Sequence, residues 1–424
     1  MKQPTTFAIC GLGIRGLEAY ASFQKLHPEK MQIVAGADPD PARRAALMRD
    51  YGVPAQRCYQ SDEELLAQPR LAEVMIIATQ DRQHAAEALA AMDRGYHLVL
   101  EKPISPSLQE CLAIRDKAHE TGRMVAVCHV LRYTAFYGTL HRLLRQGAVG
   151  RVEALDAVEN VAYWHYAHSY VRGNWRRADE ASPMILAKSC HDMDIIRWLM
   201  DRPCESVASY GSLDWFREAN APEGSAARCL DCAVKQACPY DAEKIYLFND
   251  KSGFYSGNDQ WPCSVLTSEP TAEKLYEALR TGPYGRCVYR CDNDVVDHQS
   301  VAMRFEGGAT ATFTMSAFTA GCYRTIKVMG SLGEIEGSMD ENVLRVRRFG
   351  QPEERIELGV IPDRFAGHGG GDARMMDALC DLIAAGGTEG LTSVDASVES
   401  HVMALAAEHS RTHGGSAVDL RAFV

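Results

Sequence analysis

Three groupings of residues in this 424-residue chain have types and spacing suited to chemistry. The first is FAICGLGIRG, residues 7–16, where Gly11, Gly13 and Gly16 form G-x-G-x-x-G between a strand-like run and a helical one. That context suits a dinucleotide. Gly11 permits a sharp turn, Gly13 lets a pyrophosphate approach the backbone, and Gly16 lets the helix pack close to the strand. The amide groups opening that helix favour a phosphate. Asp38 ends QIVAGAD, 22 residues beyond Gly16, where a carboxylate accepts from ribose hydroxyls and repels a 2′-phosphate. The expectation is NAD over NADP, although Arg43 and Arg44 stand close by. The alternative is a glycine turn that holds no nucleotide.

The second grouping is Cys229, Cys232 and Cys238, a C-x2-C-x5-C run followed by Pro239. Two thiolates three positions apart can share one metal, and a third nearly closes a tetrahedron. Cys291 is the expected fourth ligand, with Cys287 and then Cys263 as alternatives. A structural Zn2+ would explain how a segment with few periodic apolar residues stays folded. An iron–sulfur cluster and unmetallated reduced thiols are the competing readings. The third grouping is AYWHYAHSYVRGNWRR, residues 162–177. Tyr163, Trp164, His165, His168, Ser169, Tyr170, Arg172, Asn174 and Trp175 offer rings for the C–H faces of a sugar and donors for its hydroxyls. Arg172 or Arg176 could hold an anionic group bidentately. An aromatic-rich domain or subunit interface would look the same.

These groups need a frame. Residues 7–130 alternate short apolar runs (Phe7–Cys10, Gln32–Ala37, Val74–Ala78, His97–Leu100, Met124–Val127) with amphipathic stretches at Ala42–Tyr51, His84–Arg94 and Leu108–Glu120. Ser61 with Glu64 reads as a capping box. This is the pattern of a doubly wound parallel sheet, which binds ligands at the C-terminal ends of its strands. Beyond about residue 150 the texture changes. RVEALDAVENVAYW alternates like a strand, SPMILAKSCHDMDIIRWLM has helical spacing, and residues 301–358 read as antiparallel strands with turns at EGGA, GSLGE and MDEN. The expected architecture is α/β, with residues 1–130 as a nucleotide-binding domain. Residues 131–424 would form an α+β domain with an open, mainly antiparallel sheet. A Cys-rich insertion spans about 217–290 and helices span 372–414. Arg132 and Tyr133 fall at the seam between domains, where pockets form. His368, in HGGGD before a helix, can face the same cleft.

A hydrophobic fraction of 46% with 24% charged residues fits a globular protein. The formal charge of −11, with no block of Lys and Arg, argues against general nucleic-acid binding. No run of 18 apolar residues suggests a membrane span, and no apolar signal core precedes the first strand. The expected compartment is the cytoplasm, where the fourteen cysteines stay reduced.

The pieces GLGIRG, ATQDRQH, EKPIS, HVLRY, GAVGRV and CHDMDIIRWL occur in one order over most of the chain. In this the chain resembles the glucose–fructose oxidoreductase / inositol dehydrogenase (Gfo/Idh/MocA) family. The resemblance implies an N-terminal Rossmann domain. It puts Ile14, Arg15, Thr79, Asp81, His84, Glu101 and Lys102 at the cofactor beside the glycines and Asp38. It implies Lys102 as an active-site lysine that stabilises an alkoxide, and His191 as the base that takes a hydroxyl proton. It also implies a homodimer or homotetramer formed through the open sheet. One departure stands out. Family dehydrogenases commonly carry an Asp four residues before the histidine, but here that position is Ala187. Lys188 stands three residues before His191 and is expected to join it in catalysis, while Asp194 could replace the missing carboxylate. The activity implied is NAD-dependent oxidation of a sugar, a cyclitol or a derivative. The rival within enzymes is glycoside cleavage through transient C3 oxidation with NAD recycled, with Lys188, His165, His168 and His368 as bases. A non-enzymatic nucleotide sensor is the remaining alternative, and the presence of both Lys102 and His191 argues against it.

Overall fold

A computed structural model describes residues 3–359 and 367–424 of the chain. Its first sheet has six parallel strands: β1 (Thr5–Cys10), β2 (Met31–Ala37), β3 (Cys58–Tyr59), β4 (Val74–Ile77), β5 (His97–Leu100) and β6 (Val125–Val127). Their order is β3-β2-β1-β4-β5-β6. The strands are apolar on both faces because helices cover both. Order reverses between β1 and β4, so the glycine turn leaving β1 opens at the switch point where such sheets hold ligands.

Local sequence accounts for the helices. Asp40 caps Pro41–Tyr51, with proline at its first position and Gly52 ending it. Ser107 caps Leu108–Thr121, which ends at Gly122. Ser61 accepts from the Glu64 amide as expected, but the Glu64 carboxylate returns to the Gln60 amide. The Ile14–Ala21 helix after the glycine turn winds in wide i→i+5 turns, a form that recurs at functional sites. The two-residue strand β3 was not anticipated.

The second sheet comprises β7 (Val152–Val161), β8 (Cys204–Ser212), β9 (His298–Phe305), β10 (Thr310–Ser316), β11 (Cys322–Gly330), β12 (Gly333–Ser338), β13 (Val343–Arg348), β14 (Glu354–Glu357) and β15 (Val418–Asp419). Its order is β14-β13-β12-β11-β7-β10-β9-β8-β15, antiparallel except between β7 and β10. The sheet is open, as expected. One face packs on the Cys190–Met200 and Val394–Thr412 helices. The other exposes Ser300, Arg304, Thr310, Thr312 and Thr314, and carries the Lys327–Glu334 and Arg347–Glu336 ion pairs. The insertion between β8 and β9 is mostly turns, with one longer helix, Ala272–Thr281, and a small core of Ile245, Leu247, Leu275 and Leu279. No described helix is long and apolar enough to cross a membrane.

Two features join the sheets. The Gly371–Ala384 helix lies against β1 and the Ile14–Ala21 helix. Its Met375, Met376, Leu379 and Cys380 share a core with Phe7, Ile9, Leu12 and Val74. The second feature is a correction. Arg132, expected at the substrate, is buried and bidentate to Asp194, at 2.7 and 2.6 Å, with its remaining nitrogen on the Leu391 carbonyl. It fastens the turn after β6 to the helix that carries His191. Arg132→Ala leaves the Asp194 carboxylate buried and unpaired, which costs about 3–5 kcal/mol. Denaturant unfolding should show that loss, and the joint replacement Arg132→Met with Asp194→Leu should recover much of it.

Candidate active site

The three glycines meet three different surroundings. Gly11 has φ +87°, and a Cβ there would lie 2.5 Å from the Ala78 carbonyl oxygen. A Cβ on Gly16 would lie 2.0 Å from the Gly11 carbonyl oxygen. These two are required by the turn itself. A Cβ on Gly13 would meet only the Arg43 guanidinium at 3.8 Å, so the protein gives no steric reason for a glycine. The open space above Gly13 and the amides of the helix start are a cradle that a diphosphate fits. Ile14 is exposed beside it. At the end of β2, Asp38 accepts the Leu12 and Asp40 amides, both at 2.9 Å, and Arg43 at 3.2 Å. Arg44 is turned to the Asp38 and Pro39 carbonyls. The carboxylate is thus fixed with lone pairs to spare for ribose hydroxyls, and Arg43 is committed to it.

Arg15 does not face the phosphate cradle. Its guanidinium donates to Glu101 at 2.6 Å and to Asp372 at 2.7 Å. Glu101 also accepts from the Tyr20 hydroxyl and, at 2.9 Å, from the Lys102 amide. Burial would raise the Glu101 carboxyl, but Arg15 and Lys102 hold it down to about 2. Asp372 accepts from Arg15 and lies 3.1 Å from His368 Nδ1. His368 in turn lies 5.5 Å, centroid to centroid, from His191.

His191 is buried, and neither ring nitrogen has a hydrogen-bond partner. His129 is in the same condition, 5.9 Å away. Burial and then the positive charge of Lys102, followed by His368 and His129, push the His191 imidazole well below its usual range. It is therefore neutral. Lys102 Nζ donates to the Ala187 carbonyl at 3.1 Å, which brings the amine to the chain segment bearing His191. Half-buried Lys102, just beyond the C-terminal end of β5, thus lies close enough to His191 for its charge to act on the imidazole.

The remaining expectations near His191 need correcting. The helical stretch breaks at Lys188 and Ser189, between Met184–Ala187 and Cys190–Met200. Lys188 consequently turns away and pairs with Glu159 at 3.3 Å. Glu159 is fully buried, and burial raises its carboxyl against the opposing pull of Arg324 and Lys188. Arg324, directly opposite it in the β7–β11 register, lies 2.7 Å from Glu159 and 2.8 Å from Asp192. Sequence reasoning passed over Glu159, Arg324 and Asp192. A signal existed for Glu159, which occupies an inward position of a strand whose neighbours on that face are Leu155, Ala157 and Val161. Asp194, proposed to orient His191, instead has both oxygens on Arg132.

Among the residues expected at the cofactor, Asp81 accepts from Ser182 at 2.6 Å and from the Trp175 indole at 3.4 Å. It thereby ties the first sheet to the aromatic segment. His84 lies between the Pro103 and Thr79 carbonyls, and Thr79 donates to Glu87, whose carboxyl burial raises to about 8. These groups brace the loop carrying Lys102. In the aromatic segment, Trp164 and His165 pack with Trp261 of the insertion, at 5.5 and 4.8 Å. His168 is held by the Tyr246 hydroxyl at 3.0 Å and stacks on Tyr284; burial lowers it to about 3. Tyr170 is buried beside Tyr166 and Trp175, and Asn174 is exposed. Tyr133 reaches Thr392 and packs in the core of the first sheet rather than in the cleft. Two of the bases offered for glycoside elimination, His168 and Lys188, are thus already engaged.

Arg172 was expected at the substrate and is instead fully buried among the cysteines. It donates to the Arg286 and Tyr240 carbonyls at 2.8 Å and to Cys229 Sγ at 3.4 Å. Among the described residues no three His, Cys, Asp or Glu side chains converge as a metal-ligand set, so the zinc expectation finds no formed site. Cys229, Cys232, Cys238 and Cys287 nevertheless line one small cavity. Cys291 is not among its walls, and its thiol donates to the Cys287 carbonyl at 3.3 Å.

Comparisons with known proteins agree with this frame. An oxidoreductase-family model described as an NAD-binding Rossmann fold matches residues 5–129, and its companion C-terminal alpha/beta domain matches residues 141–420. A putative oxidoreductase, YteT, from Bacillus subtilis is 25% identical over 396 residues, covering 87% of each chain. The NAD+-dependent scyllo-inositol 2-dehydrogenase of the same organism is 24% identical, over 50% of this chain and 59% of its own. Among solved structures, levoglucosan dehydrogenase in complex with NADH and levoglucosan superposes with a TM-score of 0.72 at 18% identity, covering 99% of this chain and all of the other. The two family models together span most of the chain, which therefore belongs to the Gfo/Idh/MocA oxidoreductase family.

Proposed function

We propose that the protein oxidises a secondary alcohol of a sugar, a cyclitol or a close derivative, with NAD as hydride acceptor. The carrying observation is the orphaned imidazole of His191. A buried polar group without a partner costs about 1–3 kcal/mol, and a substrate hydroxyl would supply the missing hydrogen bond. The relatives named for inositol and for 1,5-anhydro-D-fructose chemistry support this substrate class.

The substrate hydroxyl donates to a His191 ring nitrogen, which accepts its proton. Lys102 faces the same oxygen and stabilises the charge left on it. Gly11, Gly13, Gly16 and Asp38 would hold the cofactor, whose nicotinamide would supply hydride acceptance. The cations that weaken His191 as a base also stabilise the alkoxide, so the two effects offset each other. Trp164, His165 and Trp261 offer rings to the sugar's C–H faces. Burial of the pocket keeps bulk water from the reacting oxygen. The unpaired state of all fourteen cysteines fits a reducing, cytoplasmic compartment.

His191→Ala and Lys102→Met should each lower kcat at least about 100-fold while leaving NAD uptake, followed by nucleotide fluorescence, nearly unchanged. Failure of the wild-type protein to take up either nicotinamide coenzyme would overturn the reading. Glycoside cleavage without net NADH would replace it with the redox-neutral alternative. Because the folded imidazole is depressed from 6.5, the neutral base persists as pH falls. The acid limb of kcat/KM for oxidation should therefore lie well below pH 6.5. Ala187→Asp puts a carboxylate beside Lys102 and should move that limb upward. We also propose that two copies pair across the exposed face of the second sheet, so light scattering should give a multiple of the 46.7 kDa chain mass.

A further inference from the structure

Outside the active site, the insertion holds an unusual combination of groups. Cys229, Cys232, Cys238 and Cys287 line a single void of about 20 Å3, room for one water or one ion. Local chain geometry brings them there. Cys232 follows Cys229 in a turn closed by the Cys232 amide on the Cys229 carbonyl, and Cys238 sits in the next turn, its amide on Lys235. Cys287 comes from the far end of the insertion. An isolated antiparallel bridge between Arg228 and Arg286 sets it beside Cys229, with the Cys229 amide on Gly285 and the Cys287 amide on Ala227.

The second observation is independent of the cysteines' spacing. Arg172 is 1% exposed, yet the groups that favour its charge are cysteines and a tyrosine, with no described carboxylate among them. Its hydrogen bonds go to two carbonyls and the Cys229 sulfur, the Tyr246 hydroxyl lies close by, and its Nη1 is buried without a partner. A guanidinium cannot lose its proton in a protein, and an isolated buried charge is several kcal/mol unfavourable. Four neutral thiols do not compensate it. Four thiolates around a divalent cation do, because that centre carries a net charge of −2 and its sulfurs accept hydrogen bonds.

We infer that Cys229, Cys232, Cys238 and Cys287 bind one structural Zn2+ as thiolates, and that Arg172 is the counter-ion of this centre. Binding releases four protons, one from each thiol, and involves no redox change. As the side chains stand, the four sulfurs surround the void without converging on one point. The proposal requires side-chain rotation to bring them onto the ion, with the Arg228–Arg286 backbone bridge kept. The centre has consequences for the substrate pocket. Arg172 ends the segment that carries Trp164, His165 and His168, and the insertion supplies Trp261, Tyr246 and Tyr284 against those rings. The metal therefore fastens the insertion onto the aromatic wall of the cleft.

The test begins with the full chain purified without a metal-affinity step, its metals measured by plasma mass spectrometry. One zinc per chain is expected. A mercurial reagent should release it in step with modification of four thiols. Cobalt substitution should give the visible bands of tetrahedral thiolate coordination. Cys287→Ser should lose the metal and Cys291→Ser should keep it. Arg172→Met should release zinc to a chelator at least tenfold faster than wild type. Three results would overturn the proposal: protein with no zinc whose four thiols react freely, iron with cluster absorbance in place of zinc, or a disulfide among the four. Zinc kept by Cys287→Ser and lost by Cys291→Ser would refute the ligand set. The wild-type zinc and thiol counts decide the matter even where a variant fails to fold.

Discussion

The cleft depends on one buried ion cluster. Arg15 from the first helix, Glu101 from the end of β5 and Asp372 from the start of a late helix meet at the seam of the two sheets, with both carboxylates buried and the guanidinium side chain 28% exposed. Each carries a piece of the site with it. Arg15 lies within the glycine turn, Glu101 precedes Lys102, and Asp372 holds His368 against His191. Arg15 favours the charged form of both carboxylates, helped by Lys102 at Glu101 and by His368 at Asp372. Removing any member strands another charge, so the phosphate cradle, the lysine and the imidazole wall stand or fall together. The Gly371–Ala384 helix completes one outer layer of the first sheet for the same reason, since its N-terminal carboxylate is pinned there while its methionines fill the core beneath.

Much of the fold was legible because it is written in local periodicity. Continuous apolar runs marked β1, β2, β4, β5 and β6, and alternation marked β7 and β9. Cys58–Tyr59 was not legible, because two residues carry no period and are strands only through their pairing with Gly36 and Ala37. The break at Lys188 was hidden for a different reason. MILAKSCHDMDIIRWLM keeps helical spacing throughout, and nothing in its local pattern marks the turn the chain makes at Lys188 and Ser189.

The site divides along the same line. Gly11, Gly13, Gly16 and Asp38 belong to one local motif and could be read. Glu159, Arg324 and Asp192 come together only through the register of β7 against β11, which no local window contains. Arg132 and Arg172 show the complementary failure. A guanidinium in a polar, aromatic stretch looks the same whether it awaits a substrate or neutralises a buried partner. The distinction lies in Asp194 for one and in the distant cysteines for the other.

The departure at Ala187 acquires a physical meaning from the geometry. With no carboxylate at that position, Lys102 Nζ rests on a neutral carbonyl, and the neighbouring Glu101 carboxylate is shared with Arg15. Lys102 is the foremost cation depressing His191, and in the proposed reaction it would also stabilise the oxygen that becomes negative. A carboxylate in its place would strengthen the imidazole as a base and blunt the ammonium as an electrophile. This chain places its acids one layer out, where Glu159 and Asp192 are held by Lys188 and Arg324. Under the proposed reaction, a lysine with no acid opposite it at Ala187 favours a substrate whose reacting group gains negative charge in a low-dielectric site.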